Sequence, residues 1–360
     1  MFFSSSQPLV ALDIGAHSVK LAQLKKGRKG FELVNFGMIQ LPEDTVLDGE
    51  LENPQALADA LRNLLKSEKI KNKNAVIGIS GQSVIIKKIS VPLMSEEELI
   101  EMIREEAEQY IPFDIDEVHL DFAIVKAEGE VPVEKGATNE ERQMDVIIVA
   151  VRKEVIQKYT DVFKEIGMKV KVVDLSAFAL ENAFELNYEV DRDAAIALVN
   201  IGGSMTNINI MEAGVTAFSR DITIGGSTIS EEIQKNMSIG FKEAEKIKLG
   251  MIPREMNRAD IIAQVKDAVE FICGELRKTF DMYEKTSDMK VSKVYLSGGS
   301  CLLEGIDLLI HQNLKMEVEV VNSFRNVYCN SKNFDEQYIE AMGPIAAIPV
   351  GLALRSINDK

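Results

Sequence analysis

The chain has 360 residues, 46% of them hydrophobic and 27% charged, with a formal net charge of −16 and three cysteines. That is the profile of an ordinary globular protein long enough for two or more domains. The acid excess argues against nucleic acid or an anionic membrane as the main partner, because both need clustered positive charge. Cys273, Cys301 and Cys329 match no zinc or redox spacing and read as small buried hydrophobes in a reducing compartment. The opening "MFFSSSQPL" lacks a basic region and a long apolar run, and no stretch reaches the ~18 apolar residues of a membrane span. The expectation is a cytoplasmic protein with no direct membrane anchor.

Residues 9–15, 18–24 and 31–39 alternate as strands of an antiparallel meander, and "KKGRKG" (25–30) supplies a hairpin turn at Gly27 and Gly30. "NPQALADALRNLLKSEKI" (53–70) spaces Leu57, Leu61, Leu64 and Leu65 as one helical face behind an Asn53-Pro54 start signal. "NAVIGIS" (74–80) is a short buried strand, completing a β-β-β-α-β unit. An inserted segment follows: a strand at 83–92, then a helix at 95–110 opened by a Ser95/Glu98 capping box. Strands at 117–127 and 143–152 flank a polar loop, 128–141, and a helix at 153–167 leads to a strand at 168–175. Strands at 194–200, 206–212 and 215–222 then repeat the opening. Helices at 230–237, 241–250 and 258–286, a strand at 291–299 and a helix at 302–314 come next. The stretch 341–355 is apolar on all sides and therefore buried.

The repeat is chemical as well as structural. "ALDIGAHSVKLA" (11–22) and "VNIGGSMTNINI" (199–210) align with an offset of 187 residues, Asp13 on Asn200. Two strand–turn–strand elements with glycine at the turn, facing across a cleft, can grip both sides of a triphosphate, because backbone N–H groups converge on its oxygens. Gly15, Gly202 and Gly203 are placed for this. Lys20 can reach the β- and γ-phosphates, and Asp13 can hold Mg²⁺ through water. Neither GxxxxGK[ST] nor GxGxxG occurs. His17, in the first loop, can touch phosphate but reads more plainly as a turn residue, and His119 and His311 have no partner for catalysis or metal binding.

These loops resemble the two phosphate motifs of the actin, heat-shock-70 and sugar-kinase superfamily. Other pieces come in the matching order. "VVDLSAFALENAF" (172–184) is similar to the first connecting helix, with Asp174 where an acid orients the attacking water. "SRDITIGGSTISEEI" (219–233) resembles the double-glycine turn, Gly225 and Gly226. "AEKIK" (244–248) implies that Glu245 and Lys248 flank the nucleoside, and "YLSGGSCLLEGI" (295–306) resembles the adenosine motif, Gly298 and Gly299. "GPIAAIPVGLALR" (343–355) resembles the second connecting helix. Thr206 joins the implied nucleotide set, whose ligands are ATP and Mg.

The insertion resembles subdomain 1C of the FtsA-like cell-division proteins and, more closely, the PilM family of type IV pilus assembly proteins. "ISVPLMSEEELIEMIREEAEQYIPFDIDEVHLDF" (89–122), "IIVAVRKEVIQKY" (147–159) and "VGLALR" (350–355) carry that likeness. It implies an α/β, actin-like (ribonuclease-H-like) two-lobed fold with duplicated β-β-β-α-β cores. Subdomain 1A would hold 1–82, 170–200 and 338–360, and the inserted 1C 83–169. Subdomain 2A would hold 201–228 and 287–337, and 2B 229–286. It further implies a scaffold recruited to the inner face of the cytoplasmic membrane, serving pilus biogenesis and twitching motility. Its partners would be the cytoplasmic tail of PilN, other platform proteins and motor ATPases, with room for self-association. Tyr110, Pro112 and Phe113 are the candidate partner contacts. The alternatives are an FtsA-like filament-forming ATPase and, behind it, a small-molecule kinase.

Asn200 bears on turnover. Superfamily hydrolases and kinases carry Asp at this position. An amide keeps the shape but loses the charge, and a missing preorganised electrostatic group costs ~10²–10³ in rate. The expectation is a nucleotide-binding scaffold with slow or no ATP hydrolysis, ahead of a weak ATPase working through Asp13 and Asp174.

Overall fold

The computed structural model describes residues 8–28, 30–126, 143–249, 251, 253 and 257–357. Strands β1 (Val10–Ile14), β2 (Ser18–Gly27) and β3 (Gly30–Gln40) form the expected meander, closed at Gly27 and Gly30. Gly30 takes a φ of 118°, which a side chain would resist. After a small hairpin, β4 (Val46–Leu47) and β5 (Glu50–Leu51), comes α1 (Pro54–Ser67). The Asn53 side chain accepts the Ala56 N–H at 3.0 Å, and Leu57, Ala58, Leu61 and Leu64 are buried on one face. β6 (Asn74–Ile79) pairs parallel with β1.

The insertion has its own core. β7 (Val84–Pro92), α2 (Glu96–Glu108), β8 (Val118–Lys126) and β9 (Gln143–Arg152) make an antiparallel sheet, order β7-β9-β8, with α2 packed on it. Leu99, Ile103 and Ala107 of α2 meet Val91, Met144, Val146 and Ile148. The capping box forms as expected: Ser95 Oγ accepts the Glu98 N–H, and the Glu98 carboxylate accepts the Ser95 N–H at 2.8 Å. The polar loop 128–141 lies outside the described residues. α3 (Lys153–Glu165), read from sequence as part of the insertion, instead buries Val155, Tyr159, Val162 and Phe163 beside Leu57 and Leu61 of α1. β10 (Lys169–Leu175) then runs parallel to β6, giving a first sheet of order β10-β6-β1-β2-β3.

The second lobe repeats that order. α4 (Ser176–Asn187) leads to β11 (Ala195–Ile201), β12 (Thr206–Glu212) and β13 (Val215–Ile222), and then to α5 (Gly226–Met237) and α6 (Phe241–Lys248). α7 (Arg258–Gln264), α8 (Lys266–Glu284), β14 (Val291–Ser297), α9 (Ile306–Leu314) and β15 (Glu317–Val320) follow. The sheet order β13-β12-β11-β14-β15 mirrors β3-β2-β1-β6-β10. β11, grouped from sequence with 170–200 in the first lobe, is therefore the centre of the second sheet. β16 (Val327–Tyr328), grouped with 287–337 in the second, pairs parallel with β3 in the first. The helix expected over 258–286 breaks at Val265, whose ψ of 0° departs from the helix. The helix expected from 302 begins at Ile306, because Gly305 takes a left-handed φ of 89°.

α10 (Glu336–Met342) and α11 (Ala347–Ala353) close the chain. α11 is buried at every position, as its all-round apolar sequence requires. It crosses α4 between the sheets so closely that a Cβ on Gly351 would lie 1.7 Å from the Ala179 carbonyl oxygen. Leu180 and Phe184 of α4 pack with Leu198 and Met211 of the second sheet and with Ala347 of α11. Glu181 also points at that sheet, where Thr216 Oγ1 donates to its carboxylate. Burial, with Glu185 nearby, pushes the Glu181 carboxyl up to about 7.

Two predictions follow from this crossing. Gly351→Ala should lower stability by ~1–3 kcal/mol, read as a fall in melting temperature, because the overlap is with backbone that cannot rotate away. A carboxyl raised from its ordinary 4.5 to about 7 holds its proton more tightly folded than unfolded, so stability declines as pH climbs through that window. Glu181→Gln should flatten the decline in melting temperature between pH 5 and 8; an unchanged slope assigns it elsewhere.

Candidate functional site

The two glycine turns are built alike. Gly15 N–H donates to Ser18 O at 3.1 Å, and Gly202 N–H donates to Met205 O at 2.8 Å, the same positions one repeat apart. The turns face one another: a Cβ on Gly203 would come within 3.3 Å of the His17 Cβ. Among the described residues, no hydrogen bond engages the N–H groups of Ala16, His17, Gly203 or Ser204. Two opposed turns with uncommitted N–H groups are an anion-binding arrangement.

Behind each turn sits a cross-strand pair, and here the repeats differ. Asp13 on β1 lies opposite Lys20 on β2, and their side chains form an ion pair at 2.9 Å with little solvent exposure. One repeat on, Asn200 on β11 lies opposite Asn207 on β12, and Asn200 Nδ2 donates to Asn207 Oδ1 at 3.1 Å. A charged pair in one lobe is matched by a neutral amide pair in the other. Asn200 Oδ1 also accepts from Ser297 Oγ at 3.2 Å, and Asn207 Nδ2 donates to Asp221 Oδ1 at 2.8 Å.

A ring of glycines lets further backbone close on the second turn. Gly226 N–H donates to Gly202 O at 2.8 Å, and a Cβ on Gly225 would meet Gly203 O at 2.6 Å. Gly298, at a φ of 97°, brings β14 so near that its Cβ would lie 2.3 Å from Ile201 O. Gly299 next to it would direct a Cβ into open space. Lys248 Nζ bonds Glu245 Oε1 at 2.6 Å and the Gly226 carbonyl at 3.0 Å, so both expected nucleoside residues reach the base of this ring. Burial lowers the Lys248 pKa, and Glu245 opposes that shift. The Ser300 hydroxyl is buried here without a hydrogen-bond partner among the described residues, a donor available to a ligand.

Thr206 is fully buried and its hydroxyl donates to Ile224 O at 2.7 Å, which makes it a brace of the turn rather than a cleft contact. Asp174, at the end of β10, is buried, accepts the Leu175 N–H at 2.8 Å and lies 3.4 Å from Arg355 Nε. Tyr110 and Pro112 are exposed beyond α2, whereas Phe113 packs on the insertion core with the Arg152 guanidinium 5.8 Å from its ring. Asn207, Asp221, Ser297 and Ser300 escaped the sequence reading. Asn207 was within reach, since the 187-residue offset carries Lys20 onto it; the others are juxtaposed only by folding.

A family model described as "Type IV pilus assembly protein PilM" matches residues 11–357. A solved "PilM-PilN type IV pilus biogenesis complex" is similar at 26% identity and a TM-score of 0.84, over 98% of this chain and 99% of that one. The ethanolamine utilization protein EutJ of Salmonella typhimurium is 28% identical over 148 residues, 38% of this chain and 49% of that protein. Cell division protein FtsA of Bacillus subtilis is 20% identical over 259 residues, 68% of this chain and 58% of that protein. The chain thus spans about half the length of the curated relatives it matches. No helix among the described residues is long and apolar enough to cross a membrane. Mirrored sheets, an insertion with its own core and a match from one end to the other converge on one conclusion: the chain belongs to the type IV pilus assembly protein PilM family and has the actin-like fold.

Proposed function

We propose that the protein is a nucleotide-gated scaffold of the type IV pilus assembly platform. It binds Mg-ATP between the lobes and, through its inserted subdomain, the cytoplasmic tail of PilN, which holds it at the inner face of the cytoplasmic membrane. The observation that carries the nucleotide reading is the pair of facing turns with uncommitted N–H groups, backed by the glycine ring and the unpaired Ser300 hydroxyl. The turns would hold the phosphates and the ring the nucleoside. The Asp13 carboxylate would hold Mg²⁺ through water, and the metal would offset phosphate charge. Lys20, freed from Asp13 when the metal takes that carboxylate, would turn to the phosphates. The likeness to a PilM–PilN complex over nearly the full length of both chains supports the partner.

The amide pair supports slow turnover. With Asn200 neutral, no carboxylate on the second turn orients a metal-bound water or takes its proton, so binding is retained while the chemical step loses that support. Purified protein loaded with Mg-ATP should keep its nucleotide intact for hours by chromatography, and Asn200→Asp should convert it to ADP ~10-fold faster or more. A variant no faster than wild type removes Asn200 as the brake.

For the partner, deleting 89–122 would strip β8 and α2 from β9 and expose Met144, Val146 and Ile148, so a point substitution is cleaner. Tyr110 is 41% exposed at the end of α2. Tyr110→Ala should weaken binding of a PilN tail peptide ~10-fold in calorimetry with an unchanged melting temperature. Unaltered affinity moves the contact off this helix end.

A further inference from the structure

A run of four hydrogen bonds crosses the second lobe and ends in the first. Ser297 Oγ on β14 donates to Asn200 Oδ1 on β11 at 3.2 Å, and Asn200 Nδ2 donates to Asn207 Oδ1 on β12 at 3.1 Å. Asn207 Nδ2 donates to Asp221 Oδ1 on β13 at 2.8 Å. The other carboxylate oxygen, Oδ2, accepts the backbone N–H of Gly81 at 2.6 Å. Each strand of that sheet from β14 to β13 contributes one side chain, and the last link leaves the lobe.

The polarity of the run is not arbitrary. Both Asp221 oxygens accept, Oδ2 from the Gly81 N–H and Oδ1 from Asn207, so Asn207 presents its amide nitrogen to β13. Asn207 must then offer its oxygen to Asn200, which offers its own oxygen to Ser297. The acceptor at the far end orients both amides, and bonds aligned in one direction polarise one another. An aspartate at position 200 could not donate to Asn207, which gives the amide there a reason independent of turnover.

The receiving end is the root of the inserted subdomain. Gly81, at a φ of 111°, precedes β7 by three residues, and its carbonyl accepts the Val84 N–H at 3.0 Å. Ser83 O accepts the Arg152 N–H at 3.2 Å, tying the same loop to the end of β9. On the other side the β4–β5 hairpin presses on it: a Cβ on Gly81 would meet Asp48 O at 2.6 Å, and one on Gly49 would meet Ser80 O at 2.4 Å. A loop confined this closely moves with whatever moves its anchor, and β13 itself lies against β7.

We infer that Asp221 is a positioning residue that transmits the state of the interlobe cleft to the inserted subdomain, through the run from Asn200 and Asn207 to Gly81. This rests on the cleft reading proposed above and deepens it, by assigning how nucleotide bears on the partner-binding subdomain. A ligand that draws on the Asn200 amide or shifts the Gly202–Met205 turn changes the bond Asn207 makes to Asp221, and with it the hold on Gly81. Asp221→Asn has nearly the same shape, yet it faces two N–H donors with a single oxygen and cannot fix the direction of the amides.

The test is hydrogen exchange of the full chain with and without Mg-AMPPNP, beside calorimetry of the same nucleotide. In wild type, protection across 84–92 and 143–152 should change ~5-fold or more when nucleotide binds, the lower range of ordinary site-to-site coupling. Asp221→Asn should bind nucleotide within ~3-fold of wild type while that response is lost. A variant whose insertion responds as wild type does overturns the inference and leaves the cleft reading standing. Nucleotide uptake by wild type with no change in the insertion also overturns it. Wild type that takes up no nucleotide removes the cleft reading itself, and the inference with it. If Asp221→Asn fails to fold, the Gly81 amide in wild type decides: its protection must change with nucleotide, and constancy overturns the relay.

Discussion

The cleft exists because α4 and α11 cross with backbone nearly touching backbone. Gly351 supplies the missing side chain that lets its helix lie on the Ala179 carbonyl, and each helix carries a different sheet on its outer face. A bulkier contact would spread the lobes at their junction and carry the two glycine turns apart at the other end. The crossing brings the lobes together, and the Gly203–His17 approach and the Gly81–Asp221 hydrogen bond join them elsewhere.

Within that frame the duplication sets up a symmetry and the side chains break it. The turns match bond for bond, Gly15 to Ser18 and Gly202 to Met205. The pairs behind them do not: Asp13 and Lys20 form an ion pair, Asn200 and Asn207 an amide pair. A buried charge pair holds itself closed until another cation or anion competes for its members. An amide pair is indifferent to such competition and instead passes hydrogen-bond direction along. On the function proposed above, one lobe would respond to charge and the other would relay position.

The insertion has a core of its own and an attachment shared with the first lobe, on whose core Val84, Ile86, Val149 and Val151 pack. Away from its root, α2 and the sheet cover each other's apolar faces. Its root is another matter. Residues 80–83 are held between the β4–β5 hairpin, the end of β9 and the Asp221 carboxylate, contacts that come from both lobes. Under the relay inferred above, the insertion would move with its root, the mechanical condition for a cleft to influence a distant surface.

Periodicity and repetition made most of the elements legible in the sequence. The Leu57–Leu61–Leu64 stripe, the Ser95/Glu98 box and the alternating strands are local patterns, and local hydrogen bonding and burial realise them as written. The 187-residue offset declared two like sheets and two like turns. Three kinds of fact were beyond it. Short strands such as β15, whose Glu317 and Glu319 pair with Lys293 on its neighbour, carry no pattern until that neighbour is present. Membership of a lobe, as for α3, β11 and β16, depends on which surface a segment meets, and chain order does not say. The run from Ser297 to Gly81 joins residues from five segments, none adjacent in sequence. Sequence by itself determined most of the elements and the duplication, because those are written in spacing, and it pointed to the family through the likeness of its motifs. The tertiary structure alone decided which polar groups face each other and which way their hydrogen bonds point, because that is set by distances between segments that only the packed core brings together.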